Sequence, residues 1–76
     1  MSGIRGEPVR VWLRDDTPAR FVWRGRRYTI MFVLDRQLSG GSECWQVEAT
    51  PERTLPPATY ELCHDVAADR WSLSRG

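Results

Sequence analysis

Apolar and polar positions alternate with period two along most of the chain. Val9, Val11 and Leu13 interleave with Arg10, Trp12 and Arg14, and Phe21 and Trp23 with Arg20, Val22 and Arg24. Tyr28, Ile30, Phe32 and Leu34 interleave with Arg27, Thr29, Met31 and Val33, and Trp45, Val47 and Ala49 with Cys44, Gln46 and Glu48. Tyr60 and Leu62, then Trp71 and Leu73, repeat the theme. β-Branched and aromatic residues at alternate positions, with breakers between them, signal strands half-buried on one face. No window carries the i, i+3, i+4 stripe of an amphipathic helix. Six short strands are predicted. Asp15-Asp16-Thr17-Pro18, Gly25, Leu38 to Ser42, Pro51 to Pro57 and Ala67-Ala68-Asp69 separate them.

Matching apolar faces across neighbouring strands fixes registers, because a one-residue slip turns the core side outward. Leu13 opposite Phe21 and Val11 opposite Trp23 leave residues 15–19 as a loop. Trp23 opposite Tyr28 and Phe21 opposite Ile30 leave Gly25-Arg26 as a type II′ turn, with glycine at the position that needs φ > 0. Leu62 opposite Leu73 sets His64 against Trp71 and Asp65 against Arg70. The predicted fold is all-β: about six antiparallel strands in meander order, curled into a small open barrel or SH3-like roll. Its core holds Val11, Leu13, Phe21, Trp23, Tyr28, Ile30, Phe32, Leu34, Trp45, Val47, Leu62, Trp71 and Leu73. Residues 1–76 read as a single domain, with 1–7 as a flexible N-terminus.

The same registers define the opposite face of the first three strands. Arg10, Arg24 and Arg27 form one row, Trp12, Val22 and Thr29 the next, and Arg14, Arg20 and Met31 the third. Five guanidinium groups then frame one tryptophan. Like charges side by side on a sheet are unfavourable, whereas an aromatic among arginines is the composition of a site that stacks a base and holds phosphates. Two other readings use the same residues. The arginine stems can lie over Trp12 as a solvated surface, or Glu48, Glu61 and Asp65 of the C-terminal half can fold over the face and pair with it.

Charge sharpens this picture. All eleven basic residues are arginine, and the net charge is only +1. Residues 1–36 hold eight arginines against four acids, whereas residues 37–76 hold three against six. A chain of 76 residues buries about 60% of its unfolded surface, and its 41% hydrophobic and 28% charged content is that of a globular domain. No apolar run approaches the ~18 residues of a membrane span, and the first seven residues carry no apolar signal-peptide core. A cytoplasmic location is the expectation.

Other chemistry is thin. Cys44, Cys63 and His64 fall short as a zinc set, because Cys63 and His64 are adjacent on a strand and point to opposite faces. A Cys44–Cys63 disulfide is possible if their strands pair, but an intracellular setting keeps it reduced, so structural or free thiols are expected. The same opposition denies Cys63 a histidine base, and Gly40-Gly41 lacks the Lys-Ser/Thr of a phosphate loop. The expectation is therefore no enzyme, no metal, no cofactor and no small-molecule substrate.

The run Phe21-Val22-Trp23-Arg24-Gly25-Arg26-Arg27-Tyr28, with Val33-Leu34-Asp35-Arg36, Trp45, Tyr60-Glu61-Leu62 and Asp69-Arg70-Trp71-Ser72-Leu73, resembles a family of small actinobacterial proteins with a DUF6504-type domain of unknown function. The resemblance spans most of the chain, and its one specific motif is the F-x-W-R-G-R-R-Y hairpin. Some members of that family are encoded near translesion-polymerase and mutagenesis genes, so the resemblance implies a DNA-repair accessory and carries over no catalytic residues. Two functions are expected from the Arg/Trp face. One is a nucleic-acid-associated module, with Trp12 stacking a base of a single strand and Arg10, Arg14, Arg20, Arg24 and Arg27 on its phosphates. The alternative is a protein–protein adaptor docking an acidic partner through the same face or an edge strand.

Overall fold

A computed structural model describes residues 4–75. The strands are β1 (Ile4–Pro8), β2 (Arg10–Arg14), β3 (Thr17–Trp23), β4 (Arg26–Ser39), β5 (Ser42–Thr50), β6 (Ala58–Asp65) and β7 (Arg70–Arg75), with no helix among the described residues. All pair antiparallel in one sheet of order β1-β7-β6-β5-β4-β3-β2. β1 and β2 are consecutive in the chain and meet at Val9, whose N–H donates to the Trp71 carbonyl at 3.3 Å. The two ends of the sheet thus approach one another at a corner, and the sheet curls into a half-barrel. The all-β fold expected from the alternation is present, with seven strands rather than six. The added strand is Ile4–Pro8, in a segment read as a tail, which pairs Glu7 with Leu73 and Pro8 with Ser72.

Three hairpins turn on two residues of positive φ: Asp15-Asp16 (52°, 62°), Arg24-Gly25 (52°, 75°) and Gly40-Gly41 (50°, 88°). Two such residues make a type I′ turn, whose twist suits the flanking strands. This corrects two expectations. The 15–19 loop contracts to Asp15-Asp16, and the turn at Gly25 is Arg24-Gly25 of type I′, not Gly25-Arg26 of type II′. Val11 and Tyr28 therefore both stand opposite Phe21, two residues from the expected registers. A shift of two leaves every side chain on its original face, so the core survives the error. The Leu62–Leu73, His64–Trp71 and Asp65–Arg70 pairs lie as expected.

Phe21, Trp23, Tyr28, Trp45, Val47, Ala49, Tyr60, Leu62 and Leu73 form the buried core, with Val11, Ile30 and Trp71 packed against it. Phe21 stacks on Tyr28 at 4.8 Å, and Tyr60 meets Phe21, Trp23 and Tyr28 edge-on at 5.6–5.8 Å. Three expected core residues are instead exposed: Leu13 (50%), Phe32 (59%) and Leu34 (50%). Leu13 follows a register shift near the end of the first hairpin. β4 shifts register twice, between Ile30 and Phe32 and between Val33 and Asp35. Each bulge inserts a residue and reverses the alternation. Phe32 then shares the outer face with Glu48, and Val33 stands opposite Val47 on the inner one. β4 pairs with β3 only from Arg26 to Thr29, so from Ile30 onward its only strand partner among the described residues is β5.

Candidate functional site

Because Phe21 faces inward, its neighbours Arg20 and Val22 face outward. Arg10, Val22 and Arg27 consequently form one row across β2, β3 and β4, and Trp12, Arg20 and Thr29 form the next. Arg10, Trp12, Arg20, Phe21, Val22, Gly25 and Arg27 line an open cleft of about 480 Å³. Trp12 is 45% exposed, and the Arg10 guanidinium carbon lies 6.0 Å from its ring centroid, at the outer reach of a cation–π contact. Among the described residues no carboxylate lines the cleft.

Of the six residues singled out from the sequence, Arg10, Trp12, Arg20 and Arg27 converge here. Arg14 is at the end of β2 opposite Thr17, beside the turn and outside the cleft lining. Arg24 is a correction. The register shift leaves it in the turn, where its Nε and Nη2 donate to Glu7 Oε1 and Oε2 at 3.0 and 2.6 Å. Its guanidinium also lies 4.7 Å from the Trp23 ring, whose Nε1 donates to the same Glu7 at 3.1 Å. The Arg24 hydrogen bond holds the Glu7 carboxyl below its ordinary pKa, and the same bond raises that of Arg24. Arg24 thus ties β1 to the β3–β4 turn. Met31 also leaves its expected row, because the same register shift puts Thr29 opposite Arg20.

The acids lie elsewhere. Glu48 on β5 and Glu61 on β6 are separated from β3 by β4. Among the described residues the ion pairs are Glu7–Arg24 and Glu43–Arg36, and Asp69 meets His64; none involves Arg10, Arg20 or Arg27. The alternative in which Glu48, Glu61 or Asp65 covers the arginines is therefore set aside: the sheet order keeps them apart. Asp15 and Asp16 sit at the tip of the β2–β3 hairpin, outside the cleft.

Two further clusters stand apart. His64 stacks on Trp71 at 4.5 Å and meets Asp69 Oδ1 through Nε2 at 2.8 Å. Cys44 and Cys63 are joined by a disulfide between β5 and β6, where thiols were expected. The sequence offered this bridge only on condition that the two strands pair; they do, with Cys44 opposite Cys63. No family model, curated protein or solved structure matches the chain.

Proposed function

We propose that the chain is a non-enzymatic module that binds single-stranded nucleic acid through the outer face of β2, β3 and β4. The observation that carries this reading is the open cleft where Trp12 is surrounded by Arg10, Arg20 and Arg27, with no carboxylate of the described residues in its lining. A half-exposed indole offers a π-face to any base, and such stacking contributes about 1–3 kcal/mol per base. Guanidinium groups bind phosphate oxygens in a planar, two-pronged geometry. A polyanion also relieves the repulsion among arginines that no acid of the described chain neutralises. The DNA-repair association implied by the F-x-W-R-G-R-R-Y hairpin is a setting in which single strands are exposed.

The test is a fluorescence-anisotropy titration with a labelled single-stranded oligonucleotide over a salt series. Three phosphate contacts give a slope of log K against log [salt] near −2, at ~0.7 per contact. Binding should weaken markedly in Trp12→Ala. Binding that ignores salt, or that survives Trp12→Ala unchanged, would defeat the proposal.

A specific observation supports a second reading, a protein-interaction adaptor. Met31, Phe32, Val33 and Leu34 are exposed in succession on the part of β4 that pairs only with β5, and an open strand edge accepts an extended peptide by main-chain hydrogen bonding. That mode takes no oligonucleotide, so a labelled strand left unbound even at low salt favours it over the first reading.

A further inference from the structure

The outer face carries a second chemical cluster, remote in sequence from the arginines. Cys44 and Cys63 are direct cross-strand partners on β5 and β6, and Glu61 stands two residues before Cys63, on the same face. Gln46 is opposite Glu61, and Asp35 is opposite Gln46. The two sulfurs and a Glu61 carboxylate oxygen all lie within 4.8 Å of one another. Asp35, Gln37, Cys44, Gln46 and Glu61 line a cleft of about 230 Å³, with no arginine among them. The strand periodicity that removes His64 from a Cys63 site is the same one that supplies Glu61.

We propose that reduction of the Cys44–Cys63 disulfide turns this patch into a zinc site, with two thiolates and the Glu61 carboxylate as ligands and the fourth position open to the cleft. Zinc takes thiolate sulfur at about 2.3 Å and carboxylate oxygen at about 2.0–2.2 Å. A tetrahedral centre then needs its sulfurs about 3.8 Å apart, a separation that side-chain rotation gives once the S–S bond is broken. The chemistry balances with a dithiol reductant. The reductant's two thiols give two electrons and two protons to the protein disulfide, leaving two cysteine thiols and an oxidised reductant. Zn²⁺ then displaces both thiol protons, so its binding weakens as the pH falls. The one sulfur pair is engaged either in the disulfide or by the metal, and redox state therefore selects between the two. This inference is independent of nucleic-acid binding, because none of its residues lines the basic cleft.

The experiment compares the oxidised chain with the chain reduced by a phosphine and freed of reductant. Circular dichroism follows the fold, a chromogenic chelator competes for Zn²⁺, and Co²⁺ serves as the spectroscopic probe. The expected result is one zinc per reduced chain and a near-ultraviolet thiolate-to-cobalt band, both absent from the oxidised chain and from Cys63→Ser. Glu61→Gln should keep the fold and lower zinc affinity roughly ten-fold or more. The proposal is overturned by a folded reduced chain that takes no zinc at micromolar metal, by zinc shared between two chains, or by Glu61→Gln binding as tightly as the parent. Loss of the sheet signature on reduction also overturns it, since the ligands would no longer be held together.

Discussion

Trp23→Ala tests the assignment of the two sheet faces. Trp23 is 5% exposed, packs at 5.9 Å from Tyr28 and 5.8 Å from Tyr60, and donates its Nε1 hydrogen to Glu7. Removing a buried tryptophan costs about 3–5 kcal/mol through lost burial and the cavity left behind. A domain of 76 residues has a total stability of about 4–11 kcal/mol, so the variant should sit near the limit of folding. With a urea slope of about 1 kcal/mol per molar, the midpoint should fall by about 3 M or more. Trp12→Ala is the control. Its side chain lies on the opposite face of the same part of the sheet and is already half in water, so the loss should be about half as large, roughly 1.5–2.5 kcal/mol. Urea titrations followed by far-ultraviolet circular dichroism compare the two without relying on tryptophan emission. A difference below about 1 kcal/mol between the variants, or the reverse order, would refute the face assignment on which both the core and the cleft depend.

Gly25→Ala should lower stability by about 1 kcal/mol in a thermal or urea melt, because Gly25 has φ +75° and an added Cβ would meet nothing within 4 Å, leaving backbone strain as the only cost. Gly25→Asn should cost less, and equal melts for parent and alanine variant would exclude the type I′ turn. Burial raises the pKa of Tyr60, with Tyr28 adding to the effect, so the folded state holds this phenol's proton after the unfolded state has released it. That contribution is complete below pH ~10 and disappears as pH rises through the folded value. Tyr60→Phe should therefore show a flatter alkaline decline in urea midpoint, and parallel declines would sink the assignment. In the oligonucleotide titration, Arg27→Ala should reduce the salt slope by about 0.7. Arg24→Ala should leave the slope unchanged because Glu7 holds that guanidinium, and an equal effect of both variants would show that Arg24 leaves the clamp to bind.

Six of the seven strands were legible because alternation of side chains is a local property, whereas β1 (Ile4–Pro8) was read as a tail; the turns were legible as places because their residues tolerate positive φ. The registers of the first two hairpins were not. Deciding between Arg24-Gly25 and Gly25-Arg26 requires knowing that an arginine adopts φ 52°, which its side chain does not advertise. The resulting two-residue error preserved the faces of Phe21, Trp23 and Tyr28, yet it moved Arg24 from the candidate site to a clamp on Glu7. The bulges of β4 had the opposite effect. They leave the strand in place but reverse its alternation, so Phe32 and Leu34 were assigned to a core they do not enter. Nothing in Ile30 to Asp35 marks an unpaired residue, because every position there except the last is apolar. The Cys44–Cys63 bridge was legible only as a possibility if their strands pair, which they do with Trp45 opposite Leu62, whereas the state of the sulfurs depends on redox surroundings that the chain does not encode.

The separation of charge across the outer face has a consequence for the direction in which a polyanion can lie. Arg10, Arg20 and Arg27 occupy the β2–β4 side, and Asp35, Glu48 and Glu61 the β4–β6 side. The body measures 37 × 35 × 22 Å, while charges in physiological salt act over about 8 Å. With a net charge of only +1, the molecule exerts little pull at a distance, and its polarity acts as a torque once contact is near. A strand that left the cleft across β4 would run onto three carboxylates. On the nucleic-acid reading proposed above, a path along β2 avoids those three and meets Asp15 and Asp16 only at the hairpin tip, so that reading carries a footprint of a few nucleotides.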